Sequence, residues 1–168
     1  MYAVVVIITV AAIMLISLTI GRDIYEGRNQ TLVSFSLIHF SGYLFFLLMP
    51  VEMAFIYYLN WYDETTLIWF ALVTAVVAQS ADYLIGYSFY GSGIIRLVSE
   101  RRLRKAEKYI TKYGNFTILA FNFLPLSSPL IALAAGFLKY SFRDLFIFSI
   151  AGLFCKYLLL SLITGWFA

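Results

Sequence analysis

The chain has 168 residues, of which 62% are hydrophobic and only 12% are charged. A soluble domain of this size exposes about half of its residues to water, so it could not hide this much apolar surface. The composition therefore excludes a soluble enzyme and predicts one helical membrane domain over residues 1–168. The net charge of +3 is modest, and its basic residues cluster in one segment. Such a cluster argues against a nucleic-acid partner and favours a role in setting membrane topology.

Apolar runs close to the roughly 20 residues that a spanning helix needs recur along the chain. Met1–Ile20 is the first, and we interpret it as a retained anchor helix because it lacks the basic start and cleavage site of a signal peptide. Gly21–Gln30 is a polar loop. Thr31–Asn60 is apolar but interrupted at Pro50. We expect either one span kinked at the proline or two short helices in a re-entrant hairpin.

Leu67–Gly91 is long enough for a full span, and its small residues predict close helix packing. These small residues are Ala71, Ala75, Ala78, Ala81 and Gly86. The next segment, 92–113, is predicted as a basic helix with one apolar face. It is either a solvated cytoplasmic helix or an amphipathic helix on an anionic leaflet. The candidate lipid contacts are Arg101, Arg102, Arg104, Lys105 and Lys108. Either interpretation places the segment in the cytoplasm by the positive-inside rule.

The stretch Lys112–Lys139 is apolar enough to enter a bilayer, but its centre reads Leu-Pro-Leu-Ser-Ser-Pro at 124–129. Each proline removes a backbone donor and pushes the preceding residue out of the helical region. Broken backbone at membrane depth is tolerated only where it is buried in protein or lines a wet cavity. Such breaks are typical of transport sites. Ser141–Trp166 is predicted as the last span.

Lys139 and Arg143 lie between the broken stretch and the last span. If the broken stretch enters the membrane and returns, nine of the twelve Lys and Arg residues lie inside. We therefore predict an all-α membrane protein with about three spanning helices and two opposed re-entrant hairpins. A hairpin followed by a span then occurs twice in opposite orientation, as in secondary transporters with inverted repeats.

Three ionisable residues lie inside apolar segments: Glu52, Asp82 and Lys156. A charge in the bilayer costs on the order of 3 kcal/mol, so each is expected to be paired, to face a cavity or to be functional. Counting residues from the cytoplasmic ends puts Asp82 and Lys156 at similar depth, which predicts an ion pair between them. This pair either lines a substrate path or only clamps two helices. Glu52 has no cation nearby in sequence, and burial favours its protonated form, so it is a candidate proton carrier.

The second break supplies further candidates. Asn122, Ser127 and Ser128 carry donors, and a half-helix beginning after Pro129 would offer free N–H groups, which together favour an anionic headgroup. A purely structural kink is the alternative. Motifs for nucleophilic catalysis, metals or cofactors do not occur, so we expect no enzyme activity and no cofactor. His39 is more readily a helix contact than a ligand.

Three stretches resemble the DedA family, also called the SNARE-associated or VTT-domain membrane proteins. They are Pro50–Glu52, the segment Ala81–Gly93 with its Tyr-x-x-Gly end, and Lys112–Gly152 with Lys-Tyr-Gly, Phe-x-Pro and Ala-Gly in order. The family core would cover about 31–168. The resemblance implies facing re-entrant hairpins and a polar pathway through Glu52 and Asp82. Pro125 matches the Phe-x-Pro proline, while Asn122 and Ser128 stand where the family usually has arginines. Lys156 supplies the missing charge from another helix, or the substrate differs.

The activity implied by the resemblance is flipping or scrambling of an anionic lipid or polyprenyl phosphate carrier, with proton coupling left open. The alternatives are a small-solute or ion transporter of the same fold, or a membrane scaffold that docks partners through the basic 96–112 helix. We expect a multi-pass protein in the plasma (inner) membrane of a prokaryote. Its partners would be membrane lipids rather than nucleic acid, and homo-oligomers remain open.

Overall fold

Two long apolar helices form the centre of the structure, and shorter helices pack against them. The computed structural model describes residues 30–44, 51–88, 100–124 and 128–167, without the side chains of 100–103 and 167. Within these ranges the chain is helical apart from short turns. The helices are α1 Leu32–Tyr43, α2 Val51–Tyr58, α3 Glu64–Ser88, α4 Glu100–Tyr113, α5 Asn115–Phe123, α6 Ser128–Phe137 and α7 Phe142–Phe167.

α3 and α7 are the two helices in the described ranges that are long and apolar enough to cross a membrane. Each candidate span has 25 residues, or about 37 Å at 1.5 Å per residue, against a hydrocarbon core of about 30 Å. The spans expected at Leu67–Gly91 and Ser141–Trp166 are therefore present as helices. The anchor helix expected at Met1–Ile20 lies outside the described residues. The re-entrant course of the shorter helices stays a prediction.

Both proline-containing stretches separate two helices. α5 ends at Phe123, and the next residue, Leu124, is extended, with φ −80° and ψ 156°. This is the conformation that a following proline imposes. The next helix, α6, begins at Ser128. Leu44 after α1 is likewise extended. Residues 31–60 therefore contain two short helices, which pack against each other, rather than one kinked span. Pro50, Pro125 and Ser127 themselves lie outside the described residues.

The helices on either side of the basic segment repeat one packing pattern. α1 packs on α3 and α2 on α7, while α5 packs on α7 and α6 on α3. Each pair of short helices thus contributes one helix to each long helix. This pattern is the one expected when a hairpin and a span are duplicated and the copies interlock.

α3 and α6 cross at two glycines, one on each helix, and each glycine lies against the backbone of the other helix. A Cβ built on Gly86 would overlap the backbone carbonyl of Leu133, and one on Gly136 would overlap that of Tyr83. The close approach predicted from the small residues of the third helix is therefore confirmed, since only hydrogen fits between these backbones. Gly114 between α4 and α5 has φ 54° and ψ −128°, a conformation that only glycine adopts readily.

Candidate functional site

Lys156 is the centre of the candidate site. It lies in the middle of α7, and its side chain is only 6% exposed. Its ammonium donates to the Tyr43 hydroxyl at 2.6 Å and to Glu52 Oε1 at 2.9 Å. The ion pair therefore joins α7 to α2, and the hydroxyl joins it to the end of α1. A buried ammonium needs such partners, because moving it out of water without them costs several kcal/mol.

Glu52 is the accessible member of this pair. Its side chain is 25% exposed, and it lies in the first turn of α2. A carboxylate at this end of a helix is stabilised by the helix dipole as well as by the ammonium opposite. Glu52 has no cation nearby in sequence, and the fold supplies one from 104 residues farther along the chain.

The predicted ion pair between Asp82 and Lys156 is also wrong. His39 bridges Thr74 of α3 to Tyr157 of α7, so Thr74 is level with the residue next to Lys156. Asp82 lies two turns after Thr74 on α3, or about 12 Å farther along the helix axis. It is buried, at 3% exposure, close to the crossing with α6. Counting residues from the ends of two helices does not determine the offset between them along their axes.

A continuous series of hydrogen bonds runs from Lys156 into the core. The Tyr43 and Tyr157 hydroxyls are 3.0 Å apart, and Tyr157 Oη lies 2.6 Å from His39 Nε2. His39 Nδ1 in turn lies 2.8 Å from Thr74 Oγ1. Tyr43, Tyr157 and His39 are almost completely buried, so each depends on the next for its hydrogen bond. His39 is thus a helix contact, as the sequence favoured.

The direction of these hydrogen bonds follows from the two ends. Lys156 is a donor only, and the Thr74 hydroxyl donates to the backbone oxygen of Phe70 at 2.7 Å. If every group donates to the next, Tyr43 donates to Tyr157, Tyr157 to His39 Nε2, and His39 Nδ1–H to Thr74. Every donor then has an acceptor, which assigns a neutral imidazole with the proton on Nδ1. Such aligned bonds polarise one another and hold the ammonium in place.

The second break holds a separate polar cluster. Asn122 is completely buried; its Oδ1 accepts from Gln79 at 2.5 Å, and its Nδ2 donates to Ile118 O and to Ser149 Oγ. The Ser128 hydroxyl donates to Phe121 O. These two donors, expected to face an anionic headgroup, therefore have partners inside the protein. The arrangement ties α5 to α3 and α7, which is the structural role that the sequence left as an alternative.

The basic helix α4 uses its apolar face for packing inside the protein. Ala106 and Ile110 are 2% exposed and belong to the core formed with α6 and α5. These two side chains therefore face protein rather than lipid. The polar face remains open, with Arg104, Lys105 and Lys108 exposed. The side chains of Arg101 and Arg102 are outside the described part of the chain.

Sequence reasoning found the charged members of the site but missed its tyrosines. Tyr43, Tyr157 and Thr74 complete the network, and Gln79 and Ser149 complete the second cluster. A signal was available. Tyrosine, threonine and glutamine within membrane-length helices need partners for their polar atoms, so their repeated occurrence in the apolar segments marks a buried network.

The described residues form helices joined by short turns, two of these helices are long enough to span a membrane, and one of the two, α7, carries a buried ion pair. These features indicate an integral membrane protein with a polar interior. A family model for the VTT domain matches residues 34–165, from α1 to nearly the end of α7. The chain belongs to the DedA/SNARE-associated family, which this domain characterises. The resemblance drawn from the sequence motifs is thus confirmed. Comparison with curated proteins and with solved structures gives no match.

Proposed function

We propose that this protein moves an anionic lipid, or a polyprenyl phosphate carrier, between the two leaflets of a membrane. The observation that carries the proposal is the Lys156–Glu52 pair, which keeps two charges in the interior of an apolar helical protein and leaves one of them partly open. Buried charges in membrane-length helices are costly and mark substrate or ion pathways. A lipid with a phosphate headgroup suits a site in which a buried lysine can bind the headgroup and the surrounding surface is apolar.

Two further features support a lipid cargo. The interlocked repeat of α1–α3 and α5–α7 suits alternating exposure of a central site. The open basic face of α4 would lie against anionic headgroups and concentrate them near the protein. In the proposed arrangement α4 lies in the cytoplasm, and the short helix pairs enter the plasma membrane of a prokaryote as re-entrant hairpins.

The proposal is tested by lipid movement in proteoliposomes. A fluorescent phosphatidylglycerol analogue is placed in both leaflets, and dithionite quenches what reaches the outer one, with and without a proton gradient. We expect the native protein to expose the inner pool, Glu52→Gln to lose this activity while staying folded, and Cys155→Ala, at an exposed position on α7, to keep it. Movement only with a gradient would indicate proton coupling. No movement by folded native protein would contradict the proposal.

A small-solute or ion transporter of the same fold is the second candidate. The internal partners of Asn122 and Ser128 favour it, because the second break then offers no free side-chain donor from these residues to a large headgroup. Solute uptake by the same proteoliposomes without lipid movement would select this candidate. A scaffold that docks partners through α4 would show neither activity.

The re-entrant topology has its own test. In a Cys155→Ala background, Ser141→Cys is labelled in intact cells by a membrane-impermeant maleimide. Residue 141 lies just before α7 and is exposed in the structure. We expect no labelling until the membrane is permeabilised, because this end of α7 is on the cytoplasmic side with α4. Labelling in intact cells would contradict the topology.

A further inference from the structure

The position that Glu52 occupies is an anion position. Its carboxylate lies 2.9 Å from the Lys156 ammonium and in the first turn of α2. The ammonium and the helix dipole both favour negative charge at this point, whichever molecule supplies it. A phosphate group presents the same kind of oxygen acceptor as the carboxylate, and lysine binds it as a point charge.

The two members of the pair are held very differently. Lys156 is anchored by the hydrogen bond to Tyr43, and its ammonium also lies 5.2 Å and 5.0 Å from the ring centres of Tyr43 and Tyr157. These contacts hold a cation even when its counter-ion is exchanged. Among the described residues the Glu52 carboxylate has one polar partner, Lys156, and a quarter of its side chain is exposed. The carboxylate is therefore the member that can leave.

We propose that Lys156 is a binding subsite for a phosphate group and that Glu52 occupies it as an internal competitor when no substrate is bound. The inference rests on the proposed lipid transport and adds the residue that holds the headgroup. Arrival of phosphate displaces the Glu52 carboxylate toward its exposed side, while Tyr43, Tyr157 and His39 keep the ammonium in place. Return of Glu52 to Lys156 then ejects the phosphate. The carboxylate thus makes release possible at a site that would otherwise hold an anion too tightly.

Binding and transport should consequently respond to Glu52→Gln in opposite directions. Glutamine has the same shape and still accepts a hydrogen bond from Lys156, but it no longer competes with a full charge. Phosphate should then bind more tightly, by about tenfold, since hydrogen bonds between charged groups are about twice as strong as neutral ones. Transport should fall, because the bound phosphate has no internal anion to displace it.

The experiment measures binding by calorimetry in detergent, with short-chain phosphatidic acid as probe and short-chain phosphatidylcholine as the zwitterionic control. Inorganic phosphate is titrated in parallel. Glu52→Gln should bind phosphatidic acid about tenfold more tightly than the native chain. The matched control Asp63→Asn, an exposed carboxylate just before α3, should bind like the native chain. The double variant Glu52→Gln/Lys156→Met, which leaves neither charge buried alone, should lose the binding.

Unchanged or weaker binding by Glu52→Gln would overturn the proposal, and so would binding by the double variant as tight as that of Glu52→Gln. Equal gains for phosphatidic acid and inorganic phosphate support a subsite for the phosphate group of either ligand, and a gain for inorganic phosphate alone supports a subsite for free phosphate. A gain for phosphatidic acid alone supports it as a lipid-headgroup site. These results are separate from the proposed function, which fails if the native protein moves no lipid whatever its affinity for phosphate.

Discussion

Removing the ammonium of the central ion pair should destabilise the protein far more than removing an ammonium from its surface. Lys156→Met keeps the length and apolar stem of the side chain but leaves the Glu52 carboxylate with a negative charge and no counter-ion. Breaking a buried ion pair costs about 3–5 kcal/mol. Because a quarter of the Glu52 side chain is exposed, water relieves part of this loss, and we expect about 3 kcal/mol.

The second step of the same experiment neutralises the remaining charge. In Glu52→Gln/Lys156→Met no charge is buried, and the glutamine is partly hydrated. The double variant should therefore recover about half or more of the loss, since the penalty of the single variant comes mainly from an uncompensated charge. The matched control Lys105→Met removes an exposed lysine from α4 and should stay within about 0.5 kcal/mol of the native chain.

The assay is unfolding in mixed detergent–dodecyl sulfate micelles, followed by tryptophan fluorescence. The reasoning is refuted if Lys156→Met unfolds like Lys105→Met, since the pair would then contribute nothing to the folded state. It is also refuted if the double variant is no more stable than Lys156→Met alone. In that case the loss would come from packing around residue 156 rather than from charge.

Three other substitutions test the remaining framework. Gly86→Ala should destabilise the protein by about 1–3 kcal/mol or more, because the methyl group would meet backbone that cannot rotate away; Gly165→Ala, where nothing lies within 4 Å, should have little effect in the same unfolding assay. Tyr157→Phe leaves its neighbours without a link and should cost about 1–3 kcal/mol, whereas Tyr113→Phe at an exposed position should not. The Asp63 carboxylate accepts from the backbone N–H of Thr66 at 2.8 Å, which lowers the pKa of Asp63 from its ordinary value of 3.8. This carboxylate should stabilise the start of α3 fully above pH 3.8 and lose that effect as the pH falls through the lower pKa of the folded state. Asp63→Asn, which still caps the helix, should remove this pH dependence in a series of unfolding curves. An unchanged pH profile in the variant would contradict the assignment.

The sequence predicted the helices well because their signals are local. Apolar length set α3 and α7, and the prolines set the end of α5, where Leu124 adopts the extended conformation that Pro125 requires. The glycine crossing was also readable, since Gly86 continues a row of small residues along α3. These features depend on a few neighbouring residues and on the properties of the bilayer.

The pairing of charges was not readable in this way. Lys156 faces Glu52 because of the rotation of α7 about its own axis and its offset along the neighbouring helices. Neither quantity is determined by counting residues from helix ends. The sequence predicted one apolar face for α4, but it does not distinguish lipid from protein as the cover of that face. Ala106 and Ile110 turned out to face α6 and α5. The tyrosines were missed because their rings fit an apolar helix, and only the assembled structure shows their hydroxyls in one series.

The most direct test of the account compares lipid movement by the native protein with that by Glu52→Gln/Lys156→Met. Both are reconstituted in proteoliposomes once their unfolding curves show that each is folded, and movement of a fluorescent phosphatidylglycerol analogue is followed. The account predicts that the native protein moves the lipid and that the folded double variant does not, because the headgroup has lost its cation. Movement at the native rate by the double variant would show that the buried pair only holds helices together, and the proposed transport site would have to lie elsewhere.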